Sequence, residues 1–195
     1  MKFSTNFQNL SRCMIECNFT AHSTPIDESA AMDQAFRFLR QAQMVYVIGN
    51  GGSAGIASHF SNDLMKALKI PSQTLFDSNL LTCLANDYGY DQIFSYPLEC
   101  YLKSNDLLVA ISSSGKSPSI LNAVSVARKL KTPIITLSGF SPDNPLRSQG
   151  DLNFHIDRHH YGLVEMAHFC ILHTIIDAWN TTNITPVEEY AKTSR

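Results

Sequence analysis

Two imidazoles and two carboxylates stand at helical spacings in this chain. His59 and Asp63 are four residues apart, and Glu165 and His173 are eight apart, so each pair shares one face of any helix that forms there. Together they make a ligand set suited to a zinc-like divalent ion, or an acid–base set for moving protons. His168, three residues after Glu165, is an alternative imidazole to His173. A solvated His–Asp pair and a core histidine are the plainer alternative. Two further segments suit an anion. Gly49-Asn50-Gly51-Gly52-Ser53 follows the apolar run Met44 to Ile48, and Ser112-Ser113-Ser114-Gly115-Lys116-Ser117 follows Leu107 to Ile111. A strand that turns through such a loop into a helix presents free N–H groups and the positive end of the helix dipole. Serine hydroxyls add donors, and glycines let the backbone approach an anion closely. Two such loops point to a phosphorylated small molecule, against the alternative of two ordinary turns rich in serine and glycine.

The elements that must position these groups alternate along the chain. Helices are expected at about 3–16, 27–41, 53–68, 80–86, 96–102, 120–130 and 164–180. Strands are expected at 44–48, 72–76, 107–111, 133–137 and 152–156, with a break at Ser23-Thr24-Pro25. Strands alternating with helices predict an α/β fold, a three-layer α-β-α sandwich around a five-stranded parallel sheet. Ligands of such sheets bind beyond the carboxyl ends of the strands, where both loops fall. With no linker, repeat or low-complexity segment, residues 1–195 read as one domain. It divides into an N-terminal helical segment of about 1–42, a core of about 43–180 and an exposed tail at 181–195 carrying Pro186, Glu188 and Lys192.

Composition narrows the class. The chain has 195 residues, long enough for one sizeable core, and its hydrophobic fraction of 44% is ordinary. A net charge of −2 argues against nucleic-acid binding through a basic surface. No apolar run approaches the roughly 18 residues that span a bilayer. The first twenty residues lack the compact apolar stretch of a secretory signal. Five scattered cysteines, Cys13, Cys17, Cys83, Cys100 and Cys170, suit reduced thiols in the cytoplasm.

Several segments in order resemble one family. They are Gly49 to Ser53 with the following His59-Phe60, Cys83-Leu84-Ala85-Asn86-Asp87-Tyr88-Gly89-Tyr90, Ile111 to Ser117, and Ile134 to Gly139. This set is similar to the sugar isomerase (SIS) domain of the phosphoheptose isomerases, which convert sedoheptulose 7-phosphate to a heptose 7-phosphate. The likeness runs from about Asp27 to Trp179 and implies a flavodoxin-like SIS fold. It implies that Ser53, Ser112, Ser113, Ser114 and Ser117 hold the phosphate with Gly51 and Gly52, and that Asn50 and Asp87 lie in sugar-contacting motifs. It places the family's metal positions on His59, Asp63, Glu165 and His173, with Asp63, Glu165 and His173 as the catalytic set and zinc as the ion.

The chain departs from the family in three places. Asp63 stands where glutamate is usual, Glu165 where glutamine is usual, and Gly162 where an aspartate is usual. The shorter Asp63 side chain sets its carboxylate back by about 1.5 Å, the length of one carbon–carbon bond. The run Asp143-Asn144-Pro145-Leu146-Arg147 is closer to SIS proteins of surface-polysaccharide gene sets. The resemblance also implies a homotetramer with sites at subunit junctions and N-terminal helices at its core, a role that Phe3, Phe7, Leu10, Met14 and Ile15 would fit. A second reading is a non-catalytic SIS tetramer that binds a protein partner such as the replication initiator. The retained histidines and acidic groups weigh against it. A phosphosugar-sensing regulator ranks third.

Overall fold

In the computed structural model, residues 2–181 are described. Residues 182–195, including Pro186, Glu188 and Lys192 of the expected tail, lie outside the described residues.

Buried, largely apolar runs make the centre of the sheet. Strands β3 (Val45–Gly49), β5 (Leu107–Ser112), β6 (Ile134–Gly139) and β7 (Leu152–Ile156) are buried along their whole length, as strands covered on both faces must be. With the short edge strand β4 (Ser72–Gln73) they pair in the parallel order β4-β3-β5-β6-β7. This is the flavodoxin-like order of a doubly wound sheet. The helices are α1 (Phe3–Ile15), α2 (Glu28–Gln41), α3 (Gly52–Leu68), α4 (Ser78–Asp87), α5 (Ser95–Tyr101), α6 (Pro118–Leu130) and α7 (Tyr161–Thr181). Asp27 and Asp77 cap α2 and α4 by accepting from the backbone N–H groups of Ala30 and Leu80, each at 2.8 Å. Alternate strand residues feed two cores. Val45, Val47, Leu107 and Val109 face α1, α2, α3 and α7, whereas Tyr46, Ile48, Leu108 and Ala110 face α4, α5 and α6.

The five expected strands are present, but the sheet has seven. A hairpin of β1 (Asn18–Ala21) and β2 (Thr24–Ile26) occupies the region read as a break, and β1 pairs antiparallel with β7. The turn explains the miss. His22 and Ser23 both have positive φ, at 47° and 66°. That is the geometry of a two-residue hairpin turn, usually announced by Asn-Gly or Asp-Gly. Phe19 of β1 packs edge-to-face on Phe154 of β7, ring centroids 5.7 Å apart, and anchors the hairpin. On α1, Cys13 is buried and Leu10 and Met14 pack against the core, while Phe3, Phe7 and Ile15 are exposed.

A buried polar layer ties α7 to the sheet. Thr136, Ser138, Asn153 and His155 are wholly buried on the other face of β6 and β7. Asn153 donates to Thr136 Oγ1 at 2.8 Å and to Ser138 Oγ at 3.2 Å, and Ser138 Oγ meets His155 Nδ1 at 3.1 Å. Across the strand, the Ser138 carbonyl meets His168 Nε2 of α7 at 3.0 Å. Burial pushes both imidazoles down to about 4 from the ordinary 6.5. The unfolded chain therefore binds more protons than the folded one between those values. Stability is full above pH 6.5 and falls as pH drops toward 4, by up to about 3 kcal/mol per histidine. Urea unfolding at pH 7.5, 6, 5 and 4.5 should show this decline; a stability unchanged from pH 7.5 to 4.5 would refute the neutral buried pair.

Candidate active site

From β3 the chain crosses one face of the sheet through α3 to β4. From β5 it crosses the opposite face through α6 to β6. A crevice opens between the carboxyl ends of β3 and β5, the topological switch point. Asn50, Gly51, Gly52 and Ser53 from one loop and Ser112, Ser113, Ser114 and Ser117 from the other line a single cavity there, of about 240 Å³. All eight were candidates on sequence grounds. Ile111, Tyr161 and Glu165 complete the wall. Tyr161 was not expected, because a lone tyrosine before a helix carries no signal of its own.

The cradle is rich in donors. α3 begins at Gly52 and α6 at Pro118, so the N-terminal ends of both helices border the cavity. Ser112 Oγ and Ser117 Oγ are 3.3 Å apart. The buried Ser113 hydroxyl, in the wall of the cavity, has no hydrogen-bond partner among the described residues. The serine loop turns at Gly115, with φ at 64°. Its carbonyl accepts from the Leu146 N–H at 3.2 Å. A side chain at Gly115 would overlap Asn144. Asn144, itself buried, donates to the carbonyls of Gly139 at 3.1 Å and Ser141 at 2.8 Å and accepts from the Arg147 N–H at 3.0 Å. The run 143–147 is thus a buttress behind the serine loop.

A second cluster lies further along α3 and α7. Asp63 Oδ2 is 3.1 Å from His59 Nε2 and 3.7 Å from His173 Nδ1, and the two imidazole centroids are 4.8 Å apart. One ligand atom from each of the three lies within 4.8 Å of the others. Ile56, Phe60, Phe169 and Leu172 surround them with apolar surface. Two imidazoles and a carboxylate so placed suit a divalent ion of the zinc type and leave a coordination position open. His173, half-buried, is the second imidazole of this cluster beside the exposed His59; His168 is spent on the core contact to Ser138.

Glu165 stands apart from the trio. Its carboxylate lies against Gly52, so closely that a Cβ at that position would overlap it, and it lines the cradle. Asp87 is also elsewhere. At the end of α4 it is exposed and accepts from Asn86 Nδ2 at 2.8 Å and Cys83 Sγ at 3.5 Å.

Comparison with known proteins gives the family and the fold. The sequence profile of the SIS domain matches residues 9–139. A phosphoheptose isomerase of Campylobacter concisus is 36% identical over 146 residues, 72% of this chain and 77% of its own. The chain belongs to the phosphoheptose isomerase family of SIS-domain proteins. The solved phosphoheptose isomerase of Francisella tularensis superposes with a TM-score of 0.76 at 26% identity, covering 92% of this chain and 94% of that one. That of Neisseria gonorrhoeae has a TM-score of 0.77 at 23% identity, covering 90% and 94%, and shares the fold.

In this SIS domain the Gly115 turn combines a positive φ with a close neighbour. Gly115→Ala adds both a left-handed backbone cost and a collision with a fully bonded asparagine. It should weaken binding of inorganic phosphate by about tenfold or more, measured by titration calorimetry. An affinity equal to wild type would refute the buttress.

Proposed function

We propose that the protein is an aldose–ketose isomerase acting on a phosphorylated sugar, with sedoheptulose 7-phosphate and D-glycero-D-manno-heptose 7-phosphate, or a closely related heptose pair, as the preferred substrates. One observation carries the reading: α3 joins the anion cradle to the acid–base cluster. Ser53 lines the cradle and His59 lies six residues on, a rise of about 9 Å. An extended seven-carbon chain is roughly 8 Å long, from carbon–carbon bonds of about 1.5 Å. A phosphate in the serine loop therefore sets the carbonyl end of such a sugar beside His59, Asp63 and His173. The relatives' names supply the heptose.

In the proposed mechanism, Asp63 removes the proton from the carbon next to the carbonyl to give a cis-enediol. It then returns that proton to the neighbouring carbon. His173 moves the partner proton at the oxygen. His59, 3.1 Å from the carboxylate, orients it. Where Asp63 is held as a ligand, Glu165 takes the base role from the cradle side. His59, Asp63 and His173 would hold a zinc ion, and the ion would supply Lewis-acid polarisation of the substrate oxygen; Glu165, on the cradle side, stands outside that ligand set.

The whole chain acts as one SIS unit in this reading. It assembles as a homotetramer with sites at subunit junctions, and the exposed Phe3, Phe7 and Ile15 of α1 support a helical interface. Five cysteines without disulfides suit a cytoplasmic enzyme, one that feeds heptose into lipopolysaccharide or capsule synthesis. The retained His59–Asp63–His173 cluster disfavours a purely scaffolding, partner-binding role.

Exchange of the substrate α-proton with deuterium tests the reaction. Asp63→Asn should slow exchange by on the order of a hundredfold or more, with Glu165→Gln as the parallel variant. Wild-type exchange rates in both would end the proposal. Metal analysis provides a separate readout: wild-type protein should carry a divalent ion that His59→Ala loses. Purified protein with neither ion nor exchange would favour the scaffold.

A further inference from the structure

We infer that Tyr90 is a positioning residue for the anion cradle, acting through the side-chain amide of Asn50. The inference rests on the phosphate reading above and concerns a residue outside the loops that carry it. The Tyr90 hydroxyl donates to Asn50 Oδ1 at 3.0 Å, and Asn50 Nδ2 donates to Ser119 Oγ at 2.9 Å. This chain of two bonds crosses from the turn Tyr90–Gln92 over the first loop to the start of α6. It stands between the cradle and a neighbouring cavity of about 280 Å³ walled by Asn50, Tyr90, Asp91 and Ser119.

The amide has two faces of opposite character. Nδ2 carries two hydrogens and Oδ1 carries only lone pairs. One N–H is used by Ser119, which leaves the second for the cradle that Asn50 lines. A flipped amide would aim an acceptor at the phosphate oxygens. Hydroxyls on Tyr90 and Ser119 can serve either orientation while the cradle holds no anion, because each can donate or accept. A bound phosphate selects the orientation that offers N–H, and in that orientation Oδ1 needs a donor. Tyr90 is the group placed to supply it.

The tyrosine itself is well anchored and contributes little to the core. Asn122 Nδ2 donates to the Asp91 carbonyl at 3.0 Å, which ties the turn to α6, and Gly89, with φ at 94°, lets the chain enter it. Tyr90 is 60% exposed. Loss of its hydroxyl therefore removes the bond to Asn50 without opening a cavity.

The test is a double-mutant cycle on binding of inorganic phosphate, followed by calorimetry and, for weak variants, by phosphorus NMR titration. Tyr90→Phe should weaken binding by about threefold to tenfold, the size of one net hydrogen bond, with an unchanged thermal midpoint. In an Asn50→Ala background the same change should have less than about a twofold effect, because the group it acts through is gone. Unaltered affinity in Tyr90→Phe, an equal loss in both backgrounds, or a fall in thermal midpoint that accounts for the loss would each overturn the inference. Wild-type protein that fails to bind phosphate would overturn the phosphate reading, and this inference with it.

Discussion

The parallel pairing of β3 with β5 is the constraint on which the rest of the structure depends. Its register sets Val45 beside Leu107 and, four residues on, Gly49 beside Ile111. The two loops consequently leave the sheet side by side, and their donors converge on one small volume. Every residue of both strands is buried, with alternate side chains assigned to different cores. A slip of one residue would exchange those assignments along the whole strand and separate the loops. The apolar packing of the sheet and the placement of the two-loop cavity are therefore a single requirement.

Beyond that pairing, the site is organised by buttresses that stand outside the cavity lining. Asn144 holds the serine loop from behind, and Ser138 binds β7 through its hydroxyl and α7 through its carbonyl. The second contact orients the helix that carries Glu165 and His173. Buried polar groups of this kind are costly unless satisfied, and satisfied ones fix a geometry that apolar packing alone leaves loose. Such precision is what proton transfer demands, since small misplacements of a base cost large factors in rate.

Much of this was legible in the sequence, for identifiable reasons. Strands β3, β5 and β6 announce themselves as short apolar runs and β7 as an alternating one, and the two loops as Gly/Ser clusters at the ends of β3 and β5. The i,i+4 spacing of His59 and Asp63 correctly places them together. The hairpin at 18–26 was hidden because His22 and Ser23 adopt a turn usually reserved for glycine and asparagine. Glu165 and His173 share a helix face, but two turns separate them by about 12 Å. Periodicity reports direction around a helix, not position along it, so the acid reaches the cradle while the imidazole reaches the cluster. The roles of His168 and His173 could not be separated by spacing; burial separates them. Tyr90 lies forty residues from Asn50, and no local pattern links them.

The two borders of the sheet have a consequence for how copies of the chain can meet. At one border β4 contributes only two residues. At the other, β2 is three residues long and includes Pro25, which has no N–H to offer a neighbour. Neither border is a template on which another strand could grow, so the sheet resists edge-to-edge polymerisation during folding and at high concentration. Self-association is thereby steered away from the backbone and toward the helical faces, where side-chain shape can limit it to a closed set of subunits.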